Sequence, residues 1–355
     1  MQNPKPQSQN QQEPKPRLIA FEVTARCRFN CRHCRANASD STTRQMSTAQ
    51  CEKIIESIAD YNKCILIFTG GEPMERRDIY HLIQYSRNLG LRPVMATCGY
   101  PVNTESIKTL KQTGLLAVSL SLDGRDSDTH DSFRGTKGAF DYAVNAANLA
   151  RRSGIRFQIN TTITKDNLGQ IRDIYELSCE LGAACFNPFI LVPTGRGRQI
   201  KDILLEPEQY EKMLDDLLTI KLEGGIDVRV TCGPQFARIA HQRGQKEQLK
   251  NISGCMGGST FGFVNADGNV QTCGFLDISA GNLIENNFNF ADIWNNSPFL
   301  IKIRDRSENF IGKCKSCRYI MMCGGCRARA YHLTGDYLAA DPICRYEPEG
   351  AECST

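Results

Sequence analysis

Three cysteines stand at Cys27, Cys31 and Cys34, in Cys27-Arg-Phe-Asn-Cys31-Arg-His-Cys34, directly behind the apolar run Leu18-Ile-Ala-Phe-Glu-Val-Thr24. Thiolates at this spacing can hold three irons of a cubane iron–sulfur cluster, and no fourth cysteine follows nearby. Electron-transfer clusters use four cysteines. An iron without a protein ligand is instead an open position where a small molecule can bind and react. The competing reading is zinc, with His33 or a distant cysteine as fourth ligand, but zinc sites usually pair their ligands two to four residues apart and need four. Gly70-Gly71-Glu72-Pro73 is a second signal. A Gly-Gly pair presents backbone amides and carbonyls that suit the amino and carboxylate groups of an amino-acid-like ligand.

Cysteines gather again near the C-terminus. Cys255 and Cys273 flank Asn265-Ala-Asp-Gly-Asn269, whose Asp-Gly between apolar runs is a hairpin signal that brings the two thiols to one end. Then come Cys314, Cys317, Cys323-Gly-Gly-Cys326 and Cys344, for which a zinc ribbon is locally a fair alternative. Cys51, Cys64, Cys179, Cys185 and Cys353 read as small buried apolar residues.

These residues need elements to position them. Short β-rich runs at 18–24, 64–69, 92–97, 116–121, 156–163 and 185–192 alternate with amphipathic stretches near 48–60, 76–89, 104–113, 138–153 and 168–181. Ser47-Thr-Ala-Gln50 announces the first helix as a capping box. Six βα repeats predict an α/β fold with a parallel sheet and right-handed crossovers. Periodicity alone allows a partial barrel or an open doubly wound sheet. The cysteine loop, Gly70-Gly71, Thr97-Cys98-Gly99, Ser119, Ser121, Asp123 and Asn160 all fall at strand C-termini, the face where barrel enzymes build their sites. A partial (β/α)6 barrel is therefore expected. The organisation predicted is a disordered polar tail over 1–16, the core barrel over 17–194, linker and helices over 195–252 with a helix from Gln209 to Leu222 and a strand at Val228–Thr231, and a small cysteine-rich domain over 253–355.

Composition excludes several classes. Net charge is +4 with 23% charged residues, too mild for nucleic acid as the main partner. The five histidines show no paired metal-binding spacing. The tail has no apolar core for a signal peptide, and no apolar run approaches the roughly 20 residues of a membrane helix. A cytoplasmic protein without membrane partners is expected, where seventeen clustered cysteines bind metal rather than pair.

Together the cysteine triad and Gly70-Gly71-Glu72-Pro73 resemble the radical SAM superfamily over about 18–192. That resemblance implies a [4Fe-4S] cluster on Cys27, Cys31 and Cys34 whose open iron chelates S-adenosylmethionine, reductively cleaved to a 5′-deoxyadenosyl radical. It implies methionine contacts from Gly70, Gly71 and Glu72, a ribose or carboxylate contact from Ser121, with Thr97 and Asn160 as further candidates, and an adenine contact from the backbone of His33. Cys98 departs from the asparagine usual there. The C-terminal layout resembles the SPASM domain, which implies one auxiliary cluster on Cys314, Cys317, Cys323 and Cys344, and a second on Cys255, Cys273 and Cys326. Phe261 stands where that pattern places another cysteine, so a second auxiliary cluster would either keep an open iron or take Cys232 as its fourth ligand.

Peptide-modifying relatives usually carry a leader-binding domain before the barrel. The short tail favours a small molecule over a precursor peptide. Arg17–Thr24 with Cys34-Arg-Ala36, Val192-Pro-Thr-Gly-Arg-Gly197, and Cys323 through Tyr337 resemble the heme synthase branch of the siroheme-dependent pathway, ahead of the related deacetylase and heme d1 branches. The resemblance implies oxidative decarboxylation of two propionates of iron-coproporphyrin III to vinyl groups, with an electron donor such as ferredoxin or flavodoxin. A tetra-anionic porphyrin needs cations, ideally bidentate arginines. Arg196, Arg198, Arg327 and Arg329 are the candidates, then Arg35, with His332 or Tyr331 as axial ligands of the substrate iron.

Overall fold

The computed structural model describes residues 14–245, 252 and 254–348. Most of the expected polar tail, residues 1–13, lies outside the described residues, as does Cys353. The remaining tail residues make contacts with the body: Pro14 accepts a hydrogen bond from Trp294 Nε1 (2.9 Å), and Lys15 donates to the Tyr61 carbonyl.

The chain alternates β1 (Leu18–Glu22), α1 (Thr48–Tyr61), β2 (Ile65–Thr69), α2 (Ile79–Asn88), β3 (Arg92–Thr97), α3 (Thr104–Gln112) and β4 (Ala117–Ser121). Two helices follow, α4 (Ser127–Arg134) and α5 (Ala139–Ser153), then β5 (Arg156–Ile163), α6 (Ile171–Leu181) and β6 (Cys185–Ile190). The capping box foreseen at Ser47 is made, with reciprocal bonds between Ser47 and Gln50. The helix α4 escapes hydrophobic periodicity because its length is only two turns, yet it is capped at both ends, by the Asp126 carboxylate on the Thr129 amide and by Gly135. On α5 the face turned inward is alanine at 139, 143, 146, 147 and 150, which lets the helix approach the sheet closely.

Strand order is 1-2-3-4-5-6 with every neighbour parallel. An order without reversal puts every right-handed crossover on the same face. A doubly wound sheet would reverse direction at a switch point. The barrel reading therefore holds, with helices outside and the strand C-termini converging on one mouth. The strand expected at 228–231 is shorter, β7 (Asp227–Val228), continued by a single bridge from Thr231 to Phe189. The helix expected at 209–222 spans α7 (Pro207–Glu223), followed by α8 (Gln235–Gln242).

The C-terminal segment is not set apart from this sheet. Its hairpin, β8 (Phe261–Val264) and β9 (Asn269–Gln271), with the short β10 (Gly281–Asn282), extends the sheet beyond β1, because β8 pairs parallel to β1 from Leu18↔Phe261 to Phe21↔Val264. The sequence boundary near 253 is thus a change of composition and not a break in the hydrogen-bonded sheet. Three short helices follow, α9 (Phe290–Asn296), α10 (Pro298–Arg304) and α11 (Arg306–Asn309), then α12 (Arg327–Thr334). Trp294 of α9 is fully buried, stacked on Phe290 with 5.6 Å between ring centroids and covered by the Arg304 guanidinium. Cys51, Cys64 and Cys185 are buried as small apolar residues, and Cys179 packs against the same core.

Trp294→Ala removes the ring that docks this segment on the barrel and is expected to cost about 3–5 kcal/mol. Ile301→Ala, at a half-exposed position on the neighbouring helix, should stay within about 0.5 kcal/mol. Anaerobic denaturant unfolding monitored by circular dichroism compares the two.

Candidate active site

The cysteine loop leaves β1 and is held from two sides. From the end of β2, the Gly71 amide donates to the Thr24 carbonyl (2.8 Å) and the Glu72 amide to that of Arg26 (2.7 Å). A Cβ on Gly71 would stand 2.1 Å from the Arg26 oxygen, and one on Gly70 2.2 Å from that of Thr24. Only glycine lets the two backbones touch. The Gly71 and Glu72 amides are thus engaged with the loop, while the expected contact to a methionine amine calls for acceptors and does not depend on them. The Glu72 side chain is likewise occupied. It lies buried beneath the mouth, accepting from Thr97 Oγ1, the Cys98 amide and the Met74 amide.

From beyond β6, the segment 194–198 closes over the other side of the loop. Arg196 donates its amide to Cys34 O, its Nε to Cys31 O (2.8 Å) and its Nη1 to Ala38 O (2.7 Å). Gly195 is pressed against the Cys34 and Arg35 carbonyls, 2.4 Å from an added Cβ. Arg196, expected to bind propionate, is instead a strap on the cysteine loop.

Held this way, Cys27, Cys31 and Cys34 line an open cleft of about 1020 Å3 at the strand C-termini. His33, Gly70, Gly71, Thr97, Ser121 and Asn160 line the same cleft, so the sequence candidates for S-adenosylmethionine, Glu72 apart, converge there. Phe189, Leu191, Val192 and Phe275 form an apolar wall. Cys98 also lines this cleft, but Cys27, Cys31 and Cys34 alone come from the one loop, and a cubane on those three thiols has one iron without a loop ligand.

Sequence reading missed Arg134, on the unforeseen α4. Its Nε meets Asp123 Oδ2 at 2.5 Å and its Nη1 lies 3.8 Å from Cys31 Sγ. Burial pushes the Cys31 thiol up to about 11, and Arg134 is the main influence drawing it back towards the thiolate that iron requires. Burial, the largest influence, would raise Asp123, but Arg134 together with His33, His130 and the Thr162 amide outweighs it and holds the carboxyl below its ordinary value. Burial, then Arg134, hold His33 down at about 3, so its ring is neutral; it stacks on Phe133 at 4.1 Å and leaves Nδ1 without a protein partner. The signal available in sequence was the pair of caps, Asp126 and Gly135. The Cys98 thiol sits beside Cys27 and lowers its pKa, while the same contact and burial keep Cys98 itself protonated.

Cys314, Cys317, Cys323 and Cys344 line one small cavity with Arg238, Lys313 and Tyr319. The Gly325 amide points at Cys323 Sγ (3.4 Å), and the buried Arg238 Nε has no protein acceptor. Four thiols with donors aimed among them fit an anionic four-cysteine cluster. Cys232, Cys255, Cys273 and Cys326 form a second group. The side chain of Cys232 is within hydrogen-bonding reach of Cys326, and Cys273 interacts with both Cys326 and Cys255.

Two further arginine expectations are corrected. Arg329 is fully buried in a two-bond ion pair with Asp341 and donates to the Cys232 carbonyl; Arg327 donates to the Tyr337 and Ala339 carbonyls over the Phe310 ring. Both are interior braces. Arg198 is half exposed and pairs with Asp277, whereas Arg35 lines the cleft, bonded to Glu22 and lying over Phe263. His332 directs Nε2 at the Phe275 carbonyl (2.9 Å), and neither it nor Tyr331 lines the cleft.

Asp341 also accepts from Gln235 and the Cys326 amide. Asp341→Asn leaves a buried guanidinium uncompensated and is expected to cost about 3–5 kcal/mol, while an apolar replacement of both Asp341 and Arg329 recovers most of it. Unfolding of the three proteins side by side checks this.

Comparison with known proteins agrees with this geometry. The family model of the Radical SAM superfamily matches residues 21–178, and that of an iron–sulfur cluster-binding domain, SPASM, matches 255–318. The AdoMet-dependent heme synthase of Methanosarcina barkeri is 40% identical, covering 94% of this chain and 97% of its own. That of Nitratidesulfovibrio vulgaris is 38% identical, covering 94% and 93%. Identity falls to 31% against the Fe-coproporphyrin III synthase of M. barkeri, with 92% and 87% covered. Streptococcus suis SuiB bound to S-adenosylmethionine shares the fold at a TM-score of 0.75 and 18% identity, covering 93% of this chain and 77% of that one. A domain match at each cysteine constellation, and relatives of this identity along almost the full length, settle the family: the chain belongs to the radical SAM superfamily, among the AdoMet-dependent heme synthases.

Proposed function

We propose that this chain converts iron-coproporphyrin III into heme b by oxidative decarboxylation of two propionate side chains to vinyl groups. The observation that carries the reading is the 37–40% identity to AdoMet-dependent heme synthases over 94% of the chain, cysteine cleft included. When bound, the cluster on Cys27, Cys31 and Cys34 and S-adenosylmethionine supply a carbon-centred radical able to take hydrogen from the propionate β-carbon. Loss of the carboxylate as carbon dioxide would then leave the two remaining carbons as a vinyl group and release one surplus electron per propionate, and clusters on the two auxiliary cysteine groups would be of the class that accepts electrons.

The protein's own part is placement and exclusion of water. Phe189, Leu191, Val192 and Phe275 offer a flat apolar macrocycle an apolar surface in the cleft that the cysteine loop also lines. Arg35, at the cleft wall, is the first choice for a propionate. Arg198 is the second, since exposed ion pairs such as Arg198–Asp277 hold by only about 0.2–1 kcal/mol and can exchange partners. A low-potential donor of the ferredoxin or flavodoxin class would supply the reducing electron. No helix among the described residues is long and apolar enough to cross a membrane.

A strictly anaerobic reaction with S-adenosylmethionine, dithionite and iron-coproporphyrin III, followed by mass spectrometry, tests the reading. Heme b should appear through a monovinyl intermediate, with 5′-deoxyadenosine formed alongside, and the C27A/C31A/C34A variant should form neither. Deoxyadenosine without any change in the porphyrin contradicts the proposed substrate.

A further inference from the structure

The second auxiliary cysteine group poses a question that the cluster-binding domain does not answer by itself. Among the described residues of the matched SPASM segment and its continuation, only Cys255, Cys273 and Cys326 are left after the first group takes its four cysteines. Position 261, where a fourth would stand, is a phenylalanine that begins β8 and pairs with Leu18 in the sheet. A cluster on three cysteines would have an open iron, a place for a substrate carboxylate.

We infer that Cys232, from the barrel side of the chain, is the fourth protein ligand of this cluster, so that it has no open iron. This rests on the cluster reading of the SPASM segment and not on the identity of the porphyrin.

Three observations carry it. The first is convergence. Cys326 is buried, and Cys232 and Cys273 pack against the same cluster of side chains. Cys255 is tied to this loop by its amide on the Cys323 carbonyl (2.9 Å), and Gly254 approaches so closely that an added Cβ would lie 2.1 Å from Met322 O. The second is how Cys232 is held. Thr231 bridges to Phe189, its amide donating to Pro188 O while its carbonyl accepts from the Ile190 amide, so residue 232 extends from the C-terminal rim of the barrel. Its own φ is +59°, a conformation that cysteine rarely adopts and that persists only where the surroundings impose it. The third is charge. The Arg329 guanidinium donates to the Cys232 carbonyl, an arrangement that places a buried cation next to the thiolate-bearing group.

The consequence is a division of labour. Only the Cys27–Cys34 loop offers an open iron; a cluster with four thiolates suits electron transfer and has no position for substrate.

The test starts from the C27A/C31A/C34A background, which removes the cluster with the open iron and leaves Cys232 intact. After anaerobic reconstitution, iron and sulfide should correspond to two clusters, and 13C-cyanide should produce no hyperfine coupling in the reduced protein. Adding Cys232→Ala should open one iron: 13C coupling appears, or the oxidised protein shows the EPR signal of a three-iron cluster, with a loss of one iron per chain. Cys64→Ala in the same background is the control for a buried cysteine that binds nothing. Cyanide coupling before Cys232 is changed overturns the assignment, and that arm needs no variant at 232 to fold. Unaltered spectra and iron in the Cys232→Ala protein overturn it as well. Iron for a single cluster in the background protein overturns the cluster reading underneath, an outcome distinct from the other two.

Discussion

The placement of the cysteine loop depends on a backbone clamp. Gly71 and Glu72 grip it from the end of the second strand, and Arg196 from beyond the sixth. A loop of this kind has no regular structure to hold it, and three thiolates bound to one cluster require fixed positions. Backbone bonds at 2.7–2.8 Å from a rigid sheet provide that, and the absence of side chains on Gly70 and Gly71 is what allows the approach. The same glycines also line the cleft. One short segment thus orients the cysteine loop and forms part of the cleft wall.

Charge inside the molecule follows the same economy. Arg134 stands between Asp123 and Cys31, and Arg329 between Asp341 and the Cys232 carbonyl. Buried guanidinium groups are costly unless compensated. In both places a buried aspartate compensates the arginine, and the cation in turn lies against a group of cysteines. The two halves of the protein use the same device, although one is a barrel rim and the other a cysteine-rich extension.

Much of this was legible in the residues. Six strands and their helices declared themselves through periodicity and caps, and the polar residues at strand ends identified the mouth. The cysteine groups were legible because spacing is itself the signal. What stayed hidden was what depends on distant partners. Nothing in Phe261–Val264 announces that it lies parallel to Leu18–Phe21, more than two hundred residues away. The arginines were misjudged because charge does not say which side of the surface a residue occupies. Arg329 is interior because Asp341 waits there, twelve residues on, and Arg196 because the carbonyls of Cys31 and Ala38 face it. Helix α4 was missed because two turns are too short to show a period, although Asp126 and Gly135 marked its ends.

The central claim is that the loop from Cys27 to Cys34 holds a cluster with one iron left open for S-adenosylmethionine. Electron–nuclear double resonance of the reduced protein with S-adenosylmethionine labelled at its amino nitrogen and carboxylate oxygens tests this most directly. The account predicts hyperfine coupling to both labels, lost in the C27A/C31A/C34A variant. Coupling to neither label, in protein that carries the reduced cluster and binds the nucleoside, would contradict it.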